Sequence, residues 1–302
     1  MSRGAVRKWG FPLLAAALLS GWCMASAQNP LEDAIQQLNS QNVRGYLQPF
    51  VNSVGANFNS GFYHSADLSD AIRVQFQVIA MGTLIGPTEK SYLGTAPKGY
   101  SQNPVQTATL FGGDGATVPG LAPGMSYHFQ NGQVNTQVVP FAVPQMTIGN
   151  FFGTQAVIRY APVPAISNMP KITLAGGGLR HSLSRYLPMV PLDLSAGVFY
   201  QQLTIGDYLE EKGFAFGAQV SKTFFIATLY GGLQYESSSM SVHYTYQGPD
   251  ATPNTVIGLS IDGENSYRAT AGLALDLIIM TLNADVSVGK MTVASAGFSL
   301  GL

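Results

Sequence analysis

The sequence predicts an all-β protein, an antiparallel up-and-down transmembrane β-barrel of about 14 strands (12–14), preceded by a short helical N-terminal plug segment. Three observations predict it. Hydrophobicity alternates with a period of two through most of the chain after Ile72. The alternating segments have the length of membrane-crossing strands, and short connections between them indicate antiparallel neighbours. Charged residues make up only 10% of the 302 residues, against about 25% in an ordinary soluble domain.

Residues 1–27 predict an export signal. Basic residues precede an apolar run, and the small-residue pattern Ala25-Ser26-Ala27 precedes Gln28, so we expect cleavage between Ala27 and Gln28. The apolar run is shorter than the roughly 20 residues of a spanning helix. The only cysteine of the chain, Cys23, lies in this signal. The mature chain is therefore expected to lack disulfides, thiol catalysis and cysteine metal ligands.

Residues 28–71 predict the helical plug segment. Apolar residues recur at helical spacing after Asn29-Pro30 and again from Val43 to Val54, where Pro49 is expected to kink or break the second helix. An irregular coil is expected from Gly55 onwards. Because 14 strands enclose more space than their own side chains fill, this segment is expected to occupy the lumen. The small inner residues against which it is expected to pack are Gly272, Ser295, Gly297 and Ser299.

The strands of residues 72–302 carry one apolar and one uncharged polar face. In the first predicted strand, for example, Ile72, Val74, Phe76 and Val78 share the apolar face. A soluble barrel would carry Lys, Glu, Arg and Asp outside, whereas Ser, Thr, Asn, Gln and Gly suit an aqueous lumen opposite a lipid-facing surface. The side chains expected to face lipid include Phe214, Phe216, Val220, Leu229, Tyr235, Leu273, Leu282 and Phe298.

Five of the predicted strands precede residue 170 and nine follow it. The early strands are expected near 72–85, 105–111, 126–130, 133–139 and 154–160. Asn131-Gly132 is typical of a hairpin turn, here between the third and fourth of them. The connections expected between strands are the outer loops 86–104 and 112–125, a short helical piece within 180–191, and a charged loop 204–213 with Glu210-Glu211-Lys212 at its tip.

The last three strands predict a register, because side-chain parity must match across each hairpin. If Asp276-Leu277 is a two-residue turn, Arg268 faces Asp285 and Thr270 faces Asn283 in the lumen. If Gly289-Lys290-Met291 is a three-residue loop, Asn283 faces Gly297 and Thr281 faces Ser299. The predicted lumen-facing site residues are Arg268, Asp285, Asn283, Thr270 and Thr281.

The final residues resemble the C-terminal signal by which barrel proteins are handed to the barrel assembly machinery. The residues that carry this resemblance are Ser295, Gly297, Phe298, Leu300 and Leu302. Many such proteins end in Phe, and Leu302 departs from that pattern. The resemblance implies that the assembly machinery is a partner during biogenesis.

Two longer segments, "YLQPFVNSVGANFNSGFYHSA" (46–66) and "GGGLRHSLSRYLPMVPLDLSAGVFY" (176–200), resemble an uncharacterised bacterial outer-membrane β-barrel family, a domain-of-unknown-function group. The resemblance implies a place, the bacterial outer membrane, and a shape, but no activity. A helical segment before a meander barrel is also similar, at the level of the fold, to the long-chain fatty-acid channel family, whose N-terminus plugs the lumen.

Three functions stay open. A plugged lumen with apolar content favours a channel, transporter or binding protein for small hydrophobic molecules. The alternative is a structural or adhesive barrel that displays loops 86–125. A lipid hydrolase built on His181-Ser182 is less favoured, because a catalytic pair needs bonding geometry and an orienting third group.

The expected partners follow from charge and exposure. Outer-membrane lipid is the expected surroundings, and a net charge of -1 predicts no nucleic-acid partner. The histidines His64, His128 and His243 lack metal-ligand spacing. No cofactor is expected.

Overall fold

The structure is a computed structural model that describes residues 40–68, 73–165, 170–187, 189–246 and 255–301. The predicted export signal, its cleavage site, the predicted first helix and Leu302 lie outside the described residues.

One long helix and fifteen strands make up the described chain. The helix is α1 (Ser40–Phe58), and short 3-10 turns cover Pro87–Lys90 and Ser184–Tyr186. The strands are β1 (Arg73–Leu84), β2 (Ser91–Gly94), β3 (Val105–Ala108), β4 (Thr117–Pro119), β5 (Ser126–His128), β6 (Val138–Phe151), β7 (Thr154–Val163), β8 (Ile172–Ser182), β9 (Asp193–Ile205), β10 (Leu209–Phe224), β11 (Ala227–Tyr246), β12 (Thr255–Asp262), β13 (Tyr267–Leu277), β14 (Met280–Val288) and β15 (Thr292–Gly301).

Ten antiparallel strands of the described chain close into a barrel. Their order is β1, β6, β7, β8, β9, β10, β11, β13, β14 and β15, and β15 pairs back onto β1. Strand β12 pairs with the far half of β11 and lies outside the ring. The predicted closed meander is confirmed, and the predicted number of about 14 strands is wrong.

Part of the excess in the predicted count comes from residues 85–137, which form a folded cap; the rest lies after residue 170, where seven strands join the ring instead of the nine predicted. Strand β2 pairs with β3 and β4 pairs with β5, in strands of three or four residues that are too short to cross a bilayer. The predicted hairpin turn at Asn131-Gly132 is wrong, because β5 pairs with β4, the strand before it, and not with a strand that follows the turn. A small aromatic core of Phe129, Tyr100 and Tyr127 holds the cap together.

Strand β6 was missed because it contains Pro140 and Pro144. Both prolines lie in the first half of β6, which pairs with β1 alone, because the pairing with β7 begins at Gln145. Proline is tolerated where a strand has one neighbour, since a missing N–H then removes no ladder bond.

The two ends of the barrel differ. At one, the turn end, the hairpins β6–β7, β10–β11 and β13–β14 close tightly, and the connection 183–192 joins β8 to β9. Each tight turn places a bulky residue at positive φ, namely Phe152 (49°), Phe225 (62°) and Ile278 (58°), and exposes it. The cap lies at the opposite end, the cap end.

The outer surface of the barrel is apolar. On β14, for example, the outward side chains are Leu282, Ala284, Val286 and Val288, while the residues between them point inward. The aromatic rings of Phe216, Tyr235 and Tyr267 form a row across three neighbouring strands, with centroid separations of 5.3 and 5.6 Å. All eight side chains predicted to face lipid lie on this surface. Among the described residues, no helix is both long and apolar enough to cross a bilayer.

The predicted register is confirmed for the last hairpin and wrong for the one before it. Strand β14 pairs Asn283 with Gly297 and Thr281 with Ser299, as predicted. The β13–β14 turn, however, is Ile278-Ile279, so that Leu275 lies opposite Leu282. This shift of an even number of residues keeps every side chain on its predicted face.

Two further predictions about local structure are wrong. Helix α1 continues through Pro49 without the predicted break, because enclosure of its apolar side chains in the barrel outweighs the roughly 3 kcal/mol cost of an internal proline. The predicted charged loop 204–213 is a tight β9–β10 turn. Glu210 and Lys212 pair outside at 3.1 Å, while Glu211 is fully buried.

Candidate functional site: the plugged lumen

The plug, defined here as α1 with the coil 59–68, occupies the lumen from the cap end to the turn end. The N-terminal turn of α1 is tied to the cap. Asn42 Nδ2 donates to the Thr95 carbonyl at 2.9 Å, and Thr95 N donates back to Asn42 Oδ1 at 3.2 Å. Tyr46 donates its hydroxyl to the Asn131 carbonyl at 2.9 Å. Cap and plug therefore form one packed unit.

The half of the lumen nearest the cap is apolar. The apolar side chains of α1 are buried against inward-facing aliphatic side chains of the wall, and this burial is what holds the helix in place. The helix contributes Val43, Tyr46, Leu47, Val51, Val54 and Phe58, and the wall contributes among others Ile79, Met81, Val143, Leu174, Leu203, Met240 and Val293.

The half nearest the turn end is polar, and Arg159 lies at its centre. This side chain is 1% exposed. It donates to the plug carbonyls of Phe58 at 3.1 Å and Ser60 at 2.7 Å, and to Gln145 Oε1 at 2.9 Å. Its guanidinium also lies 4.1 Å from the ring centroid of Phe62, at cation–π distance.

A second wall arginine, Arg180, repeats this arrangement further along the plug. It donates to the carbonyl of Ser65 and, at 2.9 Å, to Gln155 Oε1. Its guanidinium lies 5.6 Å from the ring centroid of Tyr63. Sequence reasoning missed both arginines. The alternation along the strand could have found Arg159, because it shares the inner face of β7 with Gln155.

Arg268 completes the set of wall arginines that hold the plug. It pairs with Glu236 at 2.9 Å, and both side chains are almost fully buried. It also donates to the Ala56 carbonyl at 2.8 Å and to the Ser60 hydroxyl. The predicted pairing of Arg268 with Asp285 is wrong, because the four-residue register shift places Gly272 opposite Asp285.

The other predicted site residues also face the lumen, and they bond to side chains of the wall. Asp285 Oδ2 accepts the Tyr230 hydroxyl at 2.8 Å, and Asn283 Nδ2 donates to the same hydroxyl oxygen at 3.2 Å. Thr270 lies 2.9 Å from Ser287, and Thr281 donates to Asp276 at 2.7 Å. The threonine contacts link the neighbouring strands β13 and β14, and the Tyr230 contacts reach across β13 to join β11 to β14.

Two of the small inner residues, Gly272 and Gly297, make room for side chains of the wall. A Cβ at Gly272 would lie 2.4 Å from the Tyr230 ring, and one at Gly297 would lie 2.3 Å from Asn283 Oδ1. Glycine is therefore required there so that larger lumen side chains of the wall fit. On β15, Ser295 and Gly297 point inward while Phe298 and Leu300 point outward.

His181 and Ser182 do not form a catalytic pair. They are consecutive on β8 and point to opposite faces. His181 bonds Thr154 at 2.8 Å and Tyr186 at 2.9 Å through its two ring nitrogens, whereas Ser182 is buried on the inner side. Within the described ranges no group of three His, Cys, Asp or Glu residues is placed to hold a metal ion.

Little space is left between plug and wall. A cavity of about 10 Å³ lies beside the coil, lined by residues including Asn59, Tyr63, Gln234, Arg268 and Asp285, and that is room for about one water molecule. A wider cavity of about 240 Å³ opens at the turn end beside Ala66, Asp67 and Arg185.

The closed antiparallel ring, its apolar exterior and its occupied lumen define a β-barrel protein of the kind found in outer membranes. The chain belongs to a family of unknown function, DUF6588, which it matches over residues 6–302. This match confirms the resemblance to a domain-of-unknown-function group.

No protein of curated function matches the chain. Solved structures to which it is similar include Ail of Yersinia pestis (8% identity, 76% of this chain and 97% of that chain covered, TM-score 0.24). Others are a bacterial polysaccharide outer membrane secretin (10%, 76% and 97%, 0.28) and a mutant of the Rh. blastica porin (7%, 77% and 100%, 0.20). Similarity at this level carries nothing about activity, and it does not support the predicted likeness to the fatty-acid channel family.

Proposed function

We propose that this protein is an outer-membrane barrel that its own plug holds closed and that presents the folded cap, residues 85–137, at the outer surface. One observation carries the proposal: Arg159, Arg180 and Arg268 donate to backbone carbonyls of the plug inside a filled lumen. Holding and display, with no catalytic step, is the function that this geometry supports best.

The membrane location rests on the outer surface. Strand β14 is nine residues long and its outward side chains are all apolar, and about 9–11 tilted residues cross a bilayer. Because periplasmic turns are generally short and outer loops long, the turn end is assigned to the periplasm and the cap to the outside. Export through a cleaved signal and delivery by the assembly machinery belong to the same proposal.

The test is electrical conductance of the purified barrel in a planar lipid bilayer. The wild-type protein is expected to show no steady conductance. Replacing two plug-holding arginines together, Arg159→Leu with Arg268→Leu, is expected to give opening events because the plug loses its donors. The matched control is Arg44→Leu on the exposed side of α1, and heat-modifiable gel migration shows that each variant is folded. A wide, steady wild-type conductance would overturn the proposal.

A second candidate function is binding or passage of small hydrophobic molecules. The apolar half of the lumen favours it, because that wall would offer a hydrophobic surface if α1 moved. A cross-link between helix and wall can be placed where Thr83 Oγ1 donates to Asn57 Oδ1 at 2.8 Å. Asn57→Cys with Thr83→Cys, in a Cys23→Ser background, would allow a short thiol cross-link between plug and wall.

In vesicles containing this variant, uptake of a hydrophobic fluorescent dye is the measurement. Transport predicts uptake before cross-linking, and loss of uptake after it. Equal uptake in both states, or uptake no greater than that of protein-free vesicles, would rule this second function out.

A further inference from the structure

We infer, on the basis of the membrane location proposed above, that the turn end of the barrel binds a lipid surface through an apolar crown that inserts between headgroups and acyl chains. The crown is defined as the exposed apolar residues of the four connections at this end. Its main members are Phe152, Met189, Phe225, Ile226, Ile278 and Ile279. Phe225 and Ile278 are fully exposed, and Phe152 and Met189 are 85% and 95% exposed.

The geometry of the turns does not account for these side chains. Phe152, Phe225 and Ile278 all have a positive φ, where a hairpin turn favours Gly, Asn or Asp. A bulky residue in that conformation costs stability, and such strain is typical of functional positions. Because the same costly choice recurs at three separate turns, we expect the three side chains to share a task.

The crown surrounds the mouth of the barrel at one end only. The connections β6–β7, β8–β9, β10–β11 and β13–β14 follow one another around the ring. At the cap end, by contrast, the β9–β10 turn exposes Asp207, and the β14–β15 loop exposes Lys290 and buries Met291. Large exposed apolar surfaces mark sites that bind proteins or membranes, and a surface that encircles the barrel fits a lipid layer.

The position of the crown along the barrel also selects lipid as the partner. Rows of aromatic residues mark the two interfaces of a membrane barrel, which lie about 25 Å apart. The row of Phe216, Tyr235 and Tyr267 includes the first residue of β13, and Ile278 follows the last. At roughly 3.4 Å per residue and a tilt of about 45°, the 11 residues of β13 advance about 26 Å along the barrel axis. The crown therefore lies at the second interface.

The neighbouring side chains agree with this depth. Leu275 and Leu277 of β13 are exposed and connect the crown to the apolar outer surface without a gap. On β10, Lys222 precedes the crown by three residues, and its Nζ donates to the Pro191 carbonyl at 2.6 Å. A lysine near the end of a spanning strand commonly places its amine at the interface. The two-residue turns of the crown, 225–226 and 278–279, carry no charge, so binding should not require anionic lipid.

Depth-dependent quenching of tryptophan fluorescence tests the inference. The two tryptophans of the chain are first removed as Trp9→Phe and Trp22→Phe, and one reporter is then introduced at a time. The full chain is refolded into phosphatidylcholine vesicles whose acyl chains are brominated either near the headgroup or near the bilayer centre. Phe225→Trp is expected to lose most of its emission with the first lipid and much less with the second. Phe152→Trp should behave in the same way, and it covers the case in which Phe225→Trp does not fold.

Two control reporters replace other exposed leucines. Leu121→Trp, in the cap, is expected to keep its emission with both lipids, and Leu273→Trp, midway along β13, is expected to be quenched most by bromine near the bilayer centre. Quenching of Leu273→Trp without quenching of Phe225→Trp would overturn the crown and leave the membrane location intact. Absence of quenching at both positions would overturn the membrane location as well. Protection of Phe225→Trp from both brominated lipid and aqueous acrylamide would replace lipid by a second copy of the chain as the partner.

Discussion

At the scale of single residues, buried charge decides how the plug is held. The chain has few charged residues, and several of those in strands point into the lumen, where they bind the plug backbone. Burying an arginine is tolerated because each one finds several acceptors. The bonds run to main-chain oxygens, so they hold the path of the plug whatever its side chains are.

Arg159→Met tests this role directly. The substitution keeps an unbranched side chain but leaves the Ser60 carbonyl and Gln145 Oε1 without their donor, at roughly 1–3 kcal/mol for each buried acceptor. We expect the free energy of unfolding in urea to fall by about 2–4 kcal/mol. Arg159→Lys keeps the charge and should lose less. Equal stability of Arg159→Met and the wild type would show that the contact contributes nothing.

His64 of the plug gives the structure a pH dependence. Burial, and after it the positive charge of Arg180, lower the pKa of His64 from 6.5 to about 4, although Asp276 acts in the opposite direction. A lowered pKa means that the folded state favours the neutral ring. The stability it contributes is present above pH 6.5 and is lost as the pH falls towards 4.

We therefore expect protease cleavage within residues 59–68 to increase between pH 6.5 and 4. An acid-stable protease and mass spectrometry of the fragments measure it. His64→Gln carries no titrating ring, so its cleavage should change less over this range. Identical profiles for the two proteins would contradict the assignment.

The alternation of side chains along each strand made the lumen-facing residues predictable. Their hydrogen-bond partners were not predictable. Arg268, Asp285 and Asn283 face the lumen because alternation survives an even register shift. The partners depend on the shift itself, and Glu236 and Tyr230 come from β11, a strand whose alignment with β13 the sequence does not encode locally. Arg159 was equally visible by parity, but nothing in the sequence indicated that α1 would end beside it.

At the scale of elements, turns and prolines determined which hairpins could be predicted. Gly289-Lys290-Met291 is a good loop, and the β14–β15 register followed from it. Ile278-Ile279 is a poor turn by composition, because a two-residue hairpin turn favours Asn or Gly at positive φ. The structure nevertheless places the turn there, since Asp276 then accepts bonds from Thr281 and Thr228.

This strained turn supports a prediction about stability. Ile278 has a φ of 58° and a fully exposed side chain, so Ile278→Gly should raise the free energy of unfolding in detergent by about 1 kcal/mol. Ile279→Gly, at the neighbouring exposed position without positive φ, is the control and should not stabilise. A less stable Ile278→Gly protein would show that its side chain is packed rather than strained.

At the scale of the whole molecule, plug, barrel and cap depend on one another. About eight strands enclose a lumen that side chains alone can fill, and ten leave room for a single helix. Composition and alternation predicted the barrel, its lipid face and a plug. The strand number was overpredicted partly because short alternating segments in a cap look like spanning strands until their pairing is known.

The most direct test of this account is hydrogen–deuterium exchange of the protein folded in lipid vesicles. If the plug is locked in the lumen, the amides of α1 should exchange about as slowly as those of the barrel strands, while the exposed turns exchange quickly. Fast exchange across residues 40–68 beside slow exchange of the strands would contradict the central claim that the plug closes the barrel.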